Sequence, residues 1–139
     1  MELVTLNEKE YRSFTDKMNT HFLESYEWGE LSLKRGFTPY YIGLKDKNTI
    51  VATALLLKKN LLMGYSYFYI PRGFNIDYNN EELIKIFSLK IKKFCKEKKG
   101  IFFRIDPDIK LHTIDETACE IEGTNNYKLV NFLESIGYK

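Results

Sequence analysis

An acid, an arginine and several aromatic side chains fall where a sheet can present them to a ligand. Asp106-Pro107 ends the apolar segment Ile101-Phe-Phe-Arg-Ile105, and Pro71-Arg72-Gly73 ends the aromatic segment Tyr65-Ser-Tyr-Phe-Tyr-Ile70. Both segments read as strands, and in sheets crossed by helices ligands sit at the C-terminal strand ends. A carboxylate at the tip of a buried strand loses part of its water shell; it can orient an amine, or accept a proton if its pKa is raised. Asp before Pro also suits a simple turn in which the side chain caps the following backbone. Arg104, on the same strand face, would offset the charge of Asp106 and can anchor it. Arg72 can fork onto a phosphate or carboxylate, and Gly73 permits close backbone approach or positive φ. The alternative there is a plain turn with a solvated arginine. Tyr67, Tyr69 and Tyr78 can line a groove or pack as a sheet face against a helix. Trp28, before Gly29, is a ligand platform or a core anchor.

These residues need a scaffold, and the periodicity supplies one. Asn7 followed by Glu8 and Glu10 predicts a helix start, with Tyr11, Phe14 and Met18 as its apolar stripe. Ser25 is placed to cap a second helix that ends at Gly36. The period then changes to two: Pro39 to Leu44 is strand-like, Lys45 to Thr49 is a hairpin turn, and Ile50 to Leu57 is apolar enough to be buried on both faces. With Tyr65 to Ile70 these form an antiparallel meander. Asn80-Glu-Glu82 opens a long helix stopped by Gly100. Leu83, Ile84, Phe87, Ile91, Phe94 and Cys95 form its inner stripe, and Lys85, Lys90, Lys92, Lys93 and Lys96 lie on its other side. Strand, crossover helix and strand imply that the two strands flanking this helix run parallel with a right-handed connection. The stretch from Asp108 to Gly123 is polar and irregular. Asn126 to Ile136 reads as a last helix with Leu129, Val130, Phe132, Leu133 and Ile136 inside and Gly137 as its cap. The fold class expected is therefore mixed α/β, with helices on both faces of one sheet.

At 139 residues the chain suffices for one domain with a real core, and 44% apolar against 29% charged residues indicates a globular rather than disordered chain. A net charge of only +2 argues against attachment to DNA by bulk charge. No apolar run reaches membrane-spanning length, and the start carries no hydrophobic signal core. Cys95 and Cys119 lie apart and form no metal pattern with His21 or His112, so both are expected to be reduced thiols of a cytoplasmic protein. There is no Walker loop, Gly-x-Gly-x-x-Gly, HExxH or Gly-x-Ser-x-Gly elbow. A glycine-rich turn for the diphosphate of coenzyme A is also missing. Glu81 and Glu82 would repel a diphosphate at the start of the long helix.

Three blocks in register carry a resemblance: Phe22-Leu-Glu-Ser-Tyr-Glu-Trp-Gly29, Tyr67-Phe-Tyr-Ile-Pro-Arg-Gly-Phe-Asn-Ile-Asp-Tyr78 and Phe103-Arg-Ile-Asp-Pro107. Together they resemble the FemA/FemB/FemX/MurM (FemABX) aminoacyltransferases of peptidoglycan bridge synthesis, over essentially the whole chain. The resemblance implies a tRNA-dependent transferase built of two acetyltransferase-like (GNAT-like) halves. It would pass an amino acid from aminoacyl-tRNA to the lysine amine of a muropeptide stem, with no other cofactor. The acceptor would be lipid II, which would bring peripheral membrane association, or the UDP-linked precursor. This chain matches the N-terminal half, residues 1–139. The sequence stops at Tyr138-Lys139, where an alternating architecture expects a strand. The chain alone is therefore expected to be inactive, with aminoacyl-tRNA held mainly by the second half. Asp106 falls on the family's cleft aspartate, which implies a role in positioning the amine; Arg72, Tyr69, Trp28, Lys34, Tyr78 and Arg104 are the implied substrate-binding set. Two positions depart from the family. Phe74 stands where the loop usually has a second proline. Ser32 stands where precursor-binding relatives have a phosphate-contacting lysine, with Lys34 or Arg35 as the nearest substitutes. A stand-alone GNAT-type acyl-CoA N-acyltransferase and a non-catalytic binding module are the competing readings.

Overall fold

Local signals set the helix starts as the sequence predicts. The Asn7 side chain accepts from the Glu10 N–H and the Glu10 carboxylate accepts from the Asn7 N–H, a reciprocal capping box that opens α1 (Glu8–Met18). The Ser25 hydroxyl caps α2 (Tyr26–Lys34) by accepting from Trp28 N–H at 3.1 Å. The computed structural model describes residues 1–139, in two units, Met1–Pro107 and Asp108–Lys139.

The first unit holds a five-stranded sheet in the order β1 (Glu2–Thr5), β2 (Thr38–Asp46), β3 (Thr49–Asn60), β4 (Ser66–Ile70), β5 (Gly100–Ile105). Neighbours are antiparallel except β4 and β5, which run parallel because α3 (Glu81–Glu97) carries the chain back between them. The short β1 escapes pattern reading: four residues with two half-buried side chains give too little alternation to register. Residues 52–57 of β3 are all buried, as a strand covered on both faces must be.

Alternation divides β4 between two layers. Phe68 and Ile70 face α3, where Phe68 and Tyr40 meet Phe94 and where Ile84, Phe87 and Ile91 are fully buried. Tyr67 and Tyr69 face the other way. There Tyr11 of α1, with Leu6, Tyr41, Leu55 and Leu57, forms a second cluster on which Tyr26 and Trp28 of α2 and Tyr69 of β4 pack. Gly29 lets α2 sit directly on the sheet, since a Cβ there would lie 2.2 Å from the Tyr41 hydroxyl oxygen.

Two expectations need correction here. Gly100 does not end α3: the helix stops at Glu97, Lys99 takes the left-handed turn at φ 59°, and Gly100 already belongs to β5. Its missing side chain makes room for Cys95 O and the Phe68 ring, each 2.8 Å from a hypothetical Cβ. Nor is β5 a buried strand. It is the last strand of the sheet, and Ile101 and Phe102 are 58% and 53% exposed.

The second unit contains a turn closed by the Ile114–Glu120 bridge and α4 (Tyr127–Ser135). None of the apolar residues expected inside α4 is fully buried; Leu129, Phe132, Leu133 and Ile136 are half-buried and Val130 is exposed. An amphipathic stripe states which face avoids water, but a unit of this size has little with which to cover it. Gly137 ends the helix at φ 102°, donating to Glu134 O.

Candidate active site

Parallel pairing brings the predicted strand tips together. The register Tyr69–Arg104 and Ile70–Ile105 leaves Asp106 beside the turn that ends β4. Gly73 N–H donates to Ile70 O at 3.1 Å, closing a turn with Pro71 at its second position and Arg72 at its third. Proline supplies the φ that the second position needs. Arg72, however, lies in the left-handed region at φ 58°, where a side chain is strained and surrounding contacts must hold it.

Asp106 provides that hold. Its Oδ1 accepts from the Arg72 backbone N–H at 2.9 Å and its Oδ2 accepts from the Tyr69 hydroxyl at 3.0 Å. Both bonds are charge-assisted. Arg104 does not anchor the acid as expected: it is exposed, lies beside Tyr69 across the ladder, and makes no ion pair with Asp106. Each carboxylate oxygen of the half-buried Asp106 keeps acceptor capacity beyond the single hydrogen bond described for it. Burial, and then the hydrogen bond to the Asp106 carboxylate, raise the Tyr69 phenol above its ordinary pKa, so it stays a donor at neutral pH.

The following loop is fixed from several sides. Gly73 has φ 81°, and a Cβ there would meet the Tyr78 hydroxyl at 2.6 Å and Pro107 Cα at 3.1 Å. The Tyr78 hydroxyl accepts from Phe74 N–H at 2.9 Å, so Tyr78 braces the loop rather than lining the groove expected for it. Phe74, 2% exposed, packs on Phe87 of α3 at 4.9 Å between ring centroids. The residue that departs from the family's proline thus ties the loop to the helix. Asn75 pairs with Thr53 of β3 through two backbone bonds and a side-chain bond of 3.2 Å, all buried. Nothing in the sequence flagged Asn75 or Thr53, because their partnership spans 22 positions.

On the same sheet face, Tyr67, Tyr69, Phe102, Arg104 and Phe37 line a recess of about 330 Å³. Tyr67 and Phe102 stack with centroids 5.5 Å apart. Phe37 and Phe102 were not singled out from sequence, although the i, i+2 spacing of Phe102 and Arg104 carries the signal. Trp28 sits on the neighbouring cluster, edge-on to Phe22 at 5.8 Å with the Arg35 guanidinium 5.8 Å from its ring centre. Lys34 is exposed in the last turn of α2, close to the Arg35 carbonyl that receives Lys59 Nζ from the far end of β3. It is therefore at the other end of the sheet from Asp106. Ser32 is buried and its hydroxyl donates to Trp28 O at 2.7 Å.

At the start of α3, the Asn80 side chain accepts from Leu83 N–H, with Glu81 and Glu82 in the first turn. These groups satisfy the positive end of the helix and disfavour an anion there.

The FemAB family model matches residues 6–139. The chain belongs to the FemAB family. It is 32% identical over 142 residues to aminoacyltransferase FemA of Staphylococcus epidermidis and 34% identical over 141 residues to that of Staphylococcus aureus, covering 100% of this chain and 34% of each relative. Thus the chain spans about a third of the length of the curated relatives it matches. Among solved structures, FemX superposes with a TM-score of 0.79 at 24% identity, over 100% of this chain and 32% of FemX. A Trypanosoma brucei acetyltransferase superposes at 0.58 with 15% identity, over 99% of this chain and 92% of that one. The fold of this FemAB chain is thus the GNAT-like mixed sheet expected of it.

Proposed function

We propose that this FemAB chain is the N-terminal, acceptor-binding part of a tRNA-dependent aminoacyltransferase of peptidoglycan bridge synthesis, acting in the cytoplasm. The observation that carries the reading is the Tyr69–Asp106–Arg72 junction, which sets a carboxylate beside an aromatic recess and below a strained arginine. The acceptor would be a muropeptide stem carried on lipid II or a UDP-linked precursor. Asp106 uses its remaining lone pairs to orient the stem lysine amine and takes up the proton that amine must lose. The amine nitrogen attacks the ester carbonyl of aminoacyl-tRNA, a new amide bond forms as the ester C–O bond breaks, and the ribose oxygen departs with the proton that Asp106 took up. An aminoacyl ester is already activated, so alignment supplies most of the rate. Arg72 meets an anionic group of the acceptor, and Tyr67, Phe102 and Arg104 flank the stem.

The test is a titration of the isotope-labelled chain with the UDP-linked muropeptide, followed by amide chemical shifts. Shifts are expected at Arg72, Gly73 and Asp106, and Asp106→Asn should weaken binding. No movement around these residues at millimolar ligand would refute the proposal. Acetyl-CoA is the matched control: the acid-rich start of α3 argues for no binding, and measurable affinity would favour an acyl-CoA transferase instead.

A further inference from the structure

The other end of β4 carries a feature that the transferase reading leaves unused. The β3–β4 hairpin closes through Leu61-Leu62-Met63-Gly64, and Leu62 and Met63 are 88% and 92% exposed. Leu61 and Tyr65 flank them and are exposed as well. This is an ordered tip: Leu61 N–H donates to Tyr65 O at 2.7 Å, Tyr65 N–H donates to Leu62 O at 3.3 Å, and Met63 holds φ 60° before Gly64 at φ 77°. Single exposed apolar residues need no explanation, but consecutive ones thrust outward on a fixed turn mark an interaction site.

The topology places cations around this tip. The strand ends near it are those of β3, β4 and β5, together with the start of β2 and the C-terminal ends of α2 and α3. Lys58 and Lys59 lie opposite Phe68 and Tyr67. Lys98 O and Lys99 O accept from the Ser66 hydroxyl and N–H at 3.0 Å each, which pins the α3–β5 turn to the base of the hairpin. Lys99 Nζ lies 3.8 Å from where a Gly64 Cβ would stand. Lys59 Nζ donates to Arg35 O at 3.1 Å, which brings Lys34 and Arg35 to the same end. Among these cations Glu97 is the nearby acid on α3.

We propose that the Leu61–Tyr65 tip is a membrane anchor that inserts into the interface of an anionic bilayer, with Lys99, Lys96 and Lys58 against its headgroups. Leucine and methionine enter the acyl boundary, tyrosine suits the headgroup level, and lysines extend their stems toward lipid phosphates. Positive charge beside an apolar tip, with Lys99 Nζ at Gly64 and further lysines at the adjoining strand and helix ends, fits an anionic bilayer better than a neutral protein groove, because each lysine near such a surface adds attraction. The inference gives a site to the membrane association that a lipid II acceptor would bring, but its test reads vesicle binding and needs no activity assay, so its failure and that of the transferase reading are distinguishable.

The experiment measures co-sedimentation of the 139-residue chain with vesicles of equal parts phosphatidylglycerol and phosphatidylcholine. Wild type is expected to pellet with these vesicles, more weakly as salt rises, and little with pure phosphatidylcholine. Leu62→Ser with Met63→Ser should lower the partition coefficient about tenfold with unchanged circular dichroism. Lys96→Gln with Lys99→Gln should lower it on the anionic vesicles while leaving pure phosphatidylcholine unaffected. Failure of wild type to bind, or equal binding by wild type and the Leu62→Ser/Met63→Ser variant, overturns the proposal. A concentration-dependent dimer that this variant dissolves, seen by sedimentation equilibrium without vesicles, would also overturn it by assigning the tip to a second copy.

Discussion

The two ends of β4 are built from opposite materials. At its C-terminal end, the backbone is strained at Arg72 and every nearby group is fixed: Asp106 takes Tyr69 and Arg72, Tyr78 takes Phe74, and Asn75 takes Thr53. At its N-terminal end, the turn is equally ordered in its backbone, but its side chains are apolar and exposed, with Lys99 Nζ beside Gly64. The same left-handed conformation occurs at both, in Arg72 and Gly73 and in Met63 and Gly64. Contacts around it differ. A turn enclosed by polar partners holds reacting groups in place, whereas a turn whose Leu62 and Met63 side chains are almost bare is available to another phase.

Substitutions can break or sharpen this contrast. The largest loss is expected for Phe74→Ala, about 3–5 kcal/mol, since it empties a buried ring site against Phe87; urea unfolding measures it. Gly73→Ala should cost about 2–3 kcal/mol, combining positive φ with a clash against Tyr78 and Pro107. Asp106→Asn should cost about 1–3 kcal/mol by weakening two charge-assisted bonds, with amide exchange at Arg72 accelerating in parallel. Gly64→Ala, at a similar φ but with only Lys99 Nζ at 3.8 Å, should cost about 1 kcal/mol. The smallest change, within about 0.5 kcal/mol, is expected for Leu62→Ser with Met63→Ser, because those side chains are exposed. If Gly73→Ala and Gly64→Ala cost the same, the enclosed and open turns do not differ as described.

Alkaline titration gives an independent check on the enclosed end. The Tyr69 pKa is raised in the folded chain, first by burial and then by its bond to Asp106. The folded state therefore holds that proton more tightly than the unfolded state. Its contribution is complete below the ordinary phenol pKa and is lost as pH rises through the raised value. Tyr69→Phe should make the fall of stability above about pH 10 shallower, read as melting temperature against pH.

Much of the fold could be read in the chain because its signals are local. Asn7, Ser25 and Asn80 cap the helices they were expected to cap, and the α3 stripe is buried at Leu83, Ile84, Phe87, Ile91 and Cys95. The parallel β4–β5 pair follows from the crossover helix, which is why Arg72 and Asp106 meet. Where burial depends on a neighbour, sequence misled: β5 is apolar yet half open, because hydrophobicity does not say whether a strand ends its sheet.

Residue type and spacing by themselves determined the helix N-caps, the order of elements from α1 onward and the meeting of two strand tips, since each rests on interactions within a few residues or on the handedness of one crossover. Tertiary structure alone decided that Asp106 grips a backbone amide rather than Arg104, that Tyr78 braces a loop, and that Leu62 and Met63 face solvent. Those outcomes depend on groups distant in sequence competing for the same space and the same hydrogen bonds, and no local pattern records which of them wins.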